Sequence, residues 1–280
     1  MKSLIPIFLT GLCLLAPAAI SAQPAAQSPL LDEAERLWLA SKFTDSNTVL
    51  EKLLASEPQN ADALWRTARN YYGIGENLPL SQKDERYKLY LLVEDYGRKC
   101  IKADPESGHC YFWTSVGMGR QGTVKGILTQ MRHAKEMRDL WTKAAKIQKQ
   151  PFRSSNGIYN MPADCYLALG IFYRLTPDWW VAKTILGFRG SIDTSVEYLR
   201  KALTFEPDRM EYLKELGVSL LCRGTKFKKP EDIEEGKKYL QRTQTLPIYK
   251  AVDKIDKAHA PLLIADPNMA CAYSRDGQQE

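Results

Sequence analysis

The chain has 280 residues, 44% hydrophobic and 26% charged, with 39 Lys and Arg against 33 Asp and Glu for a net charge of +6. A chain of this length and balance buries a core, which excludes a disordered tail or a fibrous repeat. Its charges are mixed along the sequence, without the Lys/Arg stripe of a nucleic-acid binder, so no nucleic-acid partner is expected.

At the start, Met1 and Lys2 precede an apolar run from Leu4 to Ile20 that Pro6 and Pro17 interrupt, and Ile20-Ser21-Ala22 brings small residues before Gln23. That is the layout of a secretory signal peptide, so residues 1–22 are expected to be cleaved and to lie outside the fold. Leu12, not a small residue, precedes Cys13, which favours soluble export over a lipid anchor. No later apolar stretch reaches the roughly 20 residues that span a bilayer. The expected location is periplasmic or secreted, and the signal looks bacterial. Cys100, Cys110, Cys165, Cys222 and Cys271 remain, an odd number with no CxxC pair. Neither a zinc site nor a dense disulfide framework is indicated, and buried single thiols are expected, with Cys271 as the exposed one.

One phrase recurs along the chain: an apolar segment, an acidic residue, then proline. It appears as Leu53-Leu54-Ala55-Ser56-Glu57-Pro58, Cys100-Ile101-Lys102-Ala103-Asp104-Pro105 and Ala202-Leu203-Thr204-Phe205-Glu206-Pro207, with a weaker copy at Ile264-Ala265-Asp266-Pro267. Physically this is a helix that stops where proline disfavours helical geometry in the residue before it. Six places after the first three prolines stand Leu64, Tyr111 and Leu213, and seventeen places after them Gly75, Gly122 and Gly224. The spacing predicts a helix that opens after each proline and ends at the glycine. Within these units Ala68, Ser115, Gly170 and Gly217 fall at one position, where two helices must approach closely.

The pattern resembles the tetratricopeptide repeat, with Tyr166, Leu169, Gly170, Tyr173, Ser195, Leu199, Ala202 and Pro207 filling the signature of one unit. Phe43, Ser46 and Leu50 fill second-helix positions of the first unit. The unit ends at Pro58, Pro105, Pro151, Pro207 and Pro247 lie 47, 46, 56 and 40 residues apart, against about 34 in the standard repeat. The extra residues are expected between the two helices of a unit or within a longer second helix. Trp65-Arg66-Thr67-Ala68-Arg69, Gly108-His109 with Tyr111, Lys125-Gly126-Ile127 leading to Lys135-Glu136, and Pro177-Asp178-Trp179-Trp180 running to Phe188 are similar to the regulator-of-microtubule-dynamics family over about residues 30–260. That name reflects eukaryotic members, and an exported chain is not expected to share a microtubule role. A more distant resemblance is to the periplasmic T-component proteins of TRAP transporters, whose modified repeats surround a central pore.

No HExxH, GxSxG, P-loop or dinucleotide fingerprint is present, and His109, His133 and His259 fall in three different units. Catalysis, cofactors and metals are therefore not expected. Gly117, Gly119 and Gly122 have no strand before them and are assigned a structural role. In residues 176–190, Thr176 as cap, Pro177 at the first position and Gly190 as stop predict a short helix with Trp180, Thr184 and Phe188 on one face. One reading has it seal the solenoid. The other, drawing on Lys183 and Arg189, makes it a docking helix for a membrane surface or partner through Trp179, Trp180 and Phe188.

The repeat register also projects an inner face: Asp62, Trp65, Arg69 and Tyr72; then His109, Phe112, Val116 and Arg120; then Asp164, Leu167, Ile171 and Arg174; then Glu211, Lys214 and Val218. Of these, Trp65, Arg69, Tyr72, Phe112, Arg120 and Arg174 are the expected contacts for a ligand or partner, since aromatic rings supply area and guanidinium groups pair with carboxylates. The competing reading is that the lengthened loops fill this groove. The sequence thus predicts an all-α solenoid over residues 28–265 with a polar tail at 266–280. The expected function is a non-catalytic exported scaffold that binds a peptide segment or partner protein. The alternative is a periplasmic carrier or transporter accessory enclosing a small anionic, apolar molecule.

Overall fold

The computed structural model describes residues 28–147, 152–155, 157–180, 183–184, 187–249 and 251–275. The signal segment and Pro151 lie outside them. Among the described residues there are eleven α-helices: α1 (Pro29–Leu39), α2 (Phe43–Ser56), α3 (Ala61–Asn77), α4 (Lys83–Ala103), α5 (Gly108–Lys125), α6 (Ile127–Lys146), α7 (Ala163–Leu175), α8 (Ile192–Phe205), α9 (Met210–Phe227), α10 (Pro230–Thr245) and α11 (Ala251–Ala265). A two-stranded hairpin, β1 (Phe152–Arg153) and β2 (Asn160–Met161), precedes α7, and a 3-10 turn (Pro267–Cys271) follows α11.

The acidic-proline phrase stops helices where the sequence predicts. α2, α4, α8 and α11 end at Ser56, Ala103, Phe205 and Ala265, each two residues before proline. The intervening Glu57, Asp104, Glu206 and Asp266 have φ of −129°, −141°, −141° and −129°, outside helical geometry, as the ring of a following proline requires. New helices then open on caps: Asn60 accepts from the Ala63 N–H at 3.0 Å, and Ser191 from that of Thr194 at 3.2 Å.

Consecutive helices pack as antiparallel pairs, α1 with α2, α3 with α4, α5 with α6, α7 with α8 and α9 with α10. One buried cluster runs from Trp38 to Leu220, and a second, around Val218, Leu221, Leu240, Leu263 and Tyr273, closes the C-terminal end. Gly170 and Gly217 sit at the predicted helix contacts. A Cβ on Gly170 would lie 2.4 Å from Leu199 Cγ, and one on Gly217 would lie 2.8 Å from Leu240 Cγ and 3.0 Å from the Gly236 carbonyl. Gly170→Leu is therefore expected to cost on the order of 1–3 kcal/mol in chemical denaturation, and wild-type stability in that variant would contradict the repeat register.

Three expectations are corrected. Gly75, Gly122 and Gly224 do not end their helices, which run on to Asn77, Lys125 and Phe227. At two of them the glycine admits the paired helix, since an added Cβ would lie 2.8 Å from the Tyr90 ring at Gly75 and 2.6 Å from Ile233 at Gly224. The extra length does not lie only within units, because the hairpin stands between α6 and α7. The cysteines are largely paired: Cys100–Cys110 joins α4 to α5 across the Asp104-Pro105 turn, and Cys222–Cys271 joins α9 to the 3-10 turn. Among the described residues only Cys165 is free, and it is buried. An odd count hid two bridges, because antiparallel helices bring together thiols that sequence spacing does not mark.

The 176–190 segment is helical at its described residues Trp180, Lys183 and Thr184, as expected, but differs in where it ends and in which rings share a face. Thr176 and Gly190 frame it, with the Gly190 N–H on the Pro177 carbonyl at 2.8 Å, but the chain turns earlier, at Gly187, where φ is +75°. Phe188 consequently folds back onto Phe172, ring centroids 5.5 Å apart, beneath Arg138, whereas Trp179 and Trp180 are 60% and 76% exposed. Trp180 and Phe188 share no face. Residues 181, 182, 185 and 186 of the expected helix lie outside the described residues.

Candidate functional site

The first helices α3, α5, α7 and α9 carry the projected inner-face residues, and two elements of the chain's own cover them. At the N-terminal half the cover is the hairpin. Trp65 stacks on His109 with centroids 4.4 Å apart, and Phe152 meets both rings edge-on at 5.4 and 5.5 Å. The Tyr159 hydroxyl pairs with His109 Nδ1 at 2.7 Å, and its ring leans on Phe112 and Trp113. Burial pushes the Tyr159 phenol well above its ordinary range, so it stays neutral.

The hairpin is fastened at its base. Asp164 accepts from the Asn160 N–H at 2.9 Å and from the Tyr212 hydroxyl at 2.5 Å, while Glu206 accepts from Arg153 at 2.5 Å and from the Asn160 side chain at 2.8 Å. Arg209 donates to the Ile158 carbonyl. Burial raises the Asp164 carboxyl above the usual range, and the neighbouring Arg209 opposes the rise.

At the C-terminal half the cover is the 267–275 segment, so the expected polar tail is packed through Arg275. Tyr273 is buried, and Arg174 donates to the carbonyls of Ala270 and Tyr273 at 3.2 and 2.6 Å. Beneath it six alternating charges form a chain. Arg174 pairs with Glu215 at 2.7 Å, Glu215 contacts Lys214, Lys214 pairs with Asp256 at 3.2 Å, Asp256 with Arg275 at 3.0 Å, and Arg275 with Glu211 at 2.8 Å. Burial alone would raise the Glu215 carboxyl, but Lys214 and Arg174 outweigh it and hold the group at about 2. On the inner-face helices between the two covers Tyr72, Glu76, Val116, Arg120, Ile171 and Glu211 stay partly exposed, and this stretch is termed the mouth.

Among the expected contacts, Trp65, Arg69, Phe112 and Arg174 are buried in these packings rather than lining an open groove. Arg69 lies over Trp38 at 3.7 Å and holds Glu35 through two bonds of 3.1 and 2.5 Å, while burial pushes its guanidinium down to about 10. Tyr72 and Arg120 remain at the mouth. Arg120 pairs with Glu76 at 2.7 Å. Arg69, Arg120, Arg174 and Arg275 thus all meet carboxylates of this chain, so the interior charge is already balanced, which disfavours a small anion there. Among the described residues no His, Cys, Asp and Glu group is placed to hold a metal ion.

Sequence reasoning missed Phe152, Tyr159, Asp256, Tyr273 and Arg275. The Asn156-Gly157 dipeptide between Phe152 and Asn160 is a hairpin signal that marks the first two. Nothing local marks the others.

Paired helices, acid-proline stops and a first-helix inner face define a tetratricopeptide-repeat-like solenoid, and the comparisons agree with that class. Residues 30–158 match the family described as Regulator of microtubule dynamics protein 1-3. Regulator of microtubule dynamics protein 1 of Bos taurus is 21% identical over 137 residues, 49% of this chain and 41% of that protein, so the match spans less than half of the relative's length. A thermophilic TPR protein of Thermus thermophilus superposes over 84% of this chain and 98% of its own, at 16% identity and TM-score 0.56. The pilF protein of Pseudomonas aeruginosa covers 89% of this chain and 88% of its own, at 13% identity and TM-score 0.50. These structures share the fold. No described helix is long and apolar enough to cross a membrane.

Proposed function

We propose that the protein is an exported, non-catalytic scaffold that receives a peptide segment of a partner protein at the mouth between its two covers. The observation that carries this reading is the chain's own C-terminal segment. Arg174 holds it by backbone carbonyls, its aromatic anchor Tyr273 is buried, and Glu211 and Asp256 take its Arg275, so this face already holds a peptide segment, one that turns at 267–271 and then presents Tyr273 and Arg275. Tyr72, Val116, Arg120 and Ile171 continue the same face beside it. Support for export is chemical: two disulfides form and persist in an oxidising compartment, in keeping with the signal-like first 22 residues.

A photo-crosslinking amino acid placed at Tyr72 tests this in the native host, with the same probe at the exposed Lys88 of α4 as control. A discrete protein adduct is expected from position 72 and not from position 88. Adducts of equal yield at both positions, or at neither, would contradict the reading.

A further inference from the structure

We propose that the protein has a second interaction surface, separate from the inner mouth, that binds the surface of a membrane rich in anionic phospholipid. It lies where the C-terminal ends of α7 and α9 meet, and it is built from the described residues 177–180, 183–184 and 187–190 and from the 226–229 turn. Lys226 contacts the Asp178 carboxylate and so joins the two.

Three observations carry the proposal. The first is apolar exposure: Trp179, Trp180 and Phe227 are 60%, 76% and 46% exposed, whereas the other four tryptophans are buried. Exposed tryptophans beside a phenylalanine suit the boundary between lipid headgroups and acyl chains, where an amphipathic ring is wet at one edge and dry at the other. The second is charge. The two segments hold Lys183, Arg189, Lys226, Lys228 and Lys229 against Asp178 alone. On the adjoining helix starts Asp193 and Asp232 are tied to Arg223, and Glu231 is the one further exposed acid, so the five basic residues still outnumber the acids beside them. Basic side chains surrounding exposed rings are the pattern that an anionic leaflet attracts.

The third is backbone conformation. Lys228 caps α9 in the left-handed region, with φ 54° and ψ 48°, where glycine is the favoured residue. A lysine there gains the helix only the modest attraction of a cation for its C-terminal carbonyls, whereas glycine would relieve the backbone. The side chain also sets an exposed cation at the rim of the aromatic edge.

The test compares the full chain with its variants on vesicles of phosphatidylcholine with and without phosphatidylglycerol, using sedimentation and quenching by brominated lipid. Residues 1–22 contain no tryptophan and Trp38, Trp65, Trp113 and Trp141 are buried, so quenching reports on Trp179 and Trp180. Quenching is expected on phosphatidylglycerol vesicles and not on pure phosphatidylcholine. Trp179→Ala with Trp180→Ala should abolish it, and each of Lys183→Gln, Lys228→Gly and Lys229→Gln should weaken binding about fivefold. Lys228→Gly should do so while raising resistance to denaturant, which separates loss of the surface from loss of the fold. Absence of quenching on anionic vesicles, or Lys228→Gly binding equal to wild type, overturns the proposal, as does capture by acidic protein without vesicle binding. None of these outcomes bears on crosslinking from position 72.

Discussion

Lys214→Met is expected to destabilise the protein by about 3–5 kcal/mol in chemical denaturation, although methionine fills nearly the same volume. Lys214 is fully buried between Glu215 and Asp256, so its removal leaves two carboxylates in a low dielectric with only Arg174 and Arg275 to balance them. Adding Asp256→Asn removes one of those charges, and much of the lost stability should return. The same network predicts an acid response. Because the folded Glu215 carboxyl sits at about 2 against 4.5 unfolded, its contribution is fully present above the unfolded value and is lost as pH falls from there towards 2. Lys214 is the largest charge holding that value down, so in Lys214→Met the acid transition should move to higher pH. Asp164 works in the opposite sense: burial raises its carboxyl, so its contribution is present below the unfolded value and declines as pH rises. An unchanged acid transition in Lys214→Met would show that the network is not closed as described.

Removing the Cys222–Cys271 bridge by double serine substitution is expected to cost about 4 kcal/mol, and removing Cys100–Cys110 about 3 kcal/mol, because the first closes the longer loop. The sequence separations are 49 and 10 residues. The two losses should also differ in kind. Cys271 anchors the segment carrying Tyr273 and Arg275, so its release should expose Arg174 and raise hydrogen exchange over 267–275. Loss of the Cys100–Cys110 bridge should leave that segment protected. If the two double variants were equally stable and equally protected at 267–275, the bridge would have no part in holding the C-terminal cover.

The repeat architecture was legible in the sequence because its cause is local. A proline two residues after a helix end constrains the residue before it wherever it occurs, and Gly170 and Gly217 are small because Leu199 and Leu240 lie against them. The inner face was legible in position and not in exposure. Trp65, Arg69, Phe112 and Arg174 occupy the projected face, yet the residues that cover them, Phe152, Tyr159, Tyr273 and Arg275, belong to segments with no repeat signature. The pairs Arg174–Ala270 and Cys222–Cys271 join positions 96 and 49 apart in sequence, and a single sequence carries no local mark of either. Trp180 and Phe188 separated for a smaller reason: a positive φ at Gly187 reverses the chain between them.

If the solenoid fills its own inner face and leaves only the mouth open, exposure to solvent should be graded along that face. Hydroxyl-radical footprinting of the native protein, resolved by residue with mass spectrometry, tests this most directly. Trp179, Trp180 and Tyr249 should be modified fast, Tyr72 at an intermediate rate, and Trp65, Phe112, Tyr159 and Tyr273 slowly. Modification of Trp65 and Phe112 as fast as that of Trp179 and Trp180, in a protein folded by circular dichroism, would mean that the groove is open and that neither cover is in place.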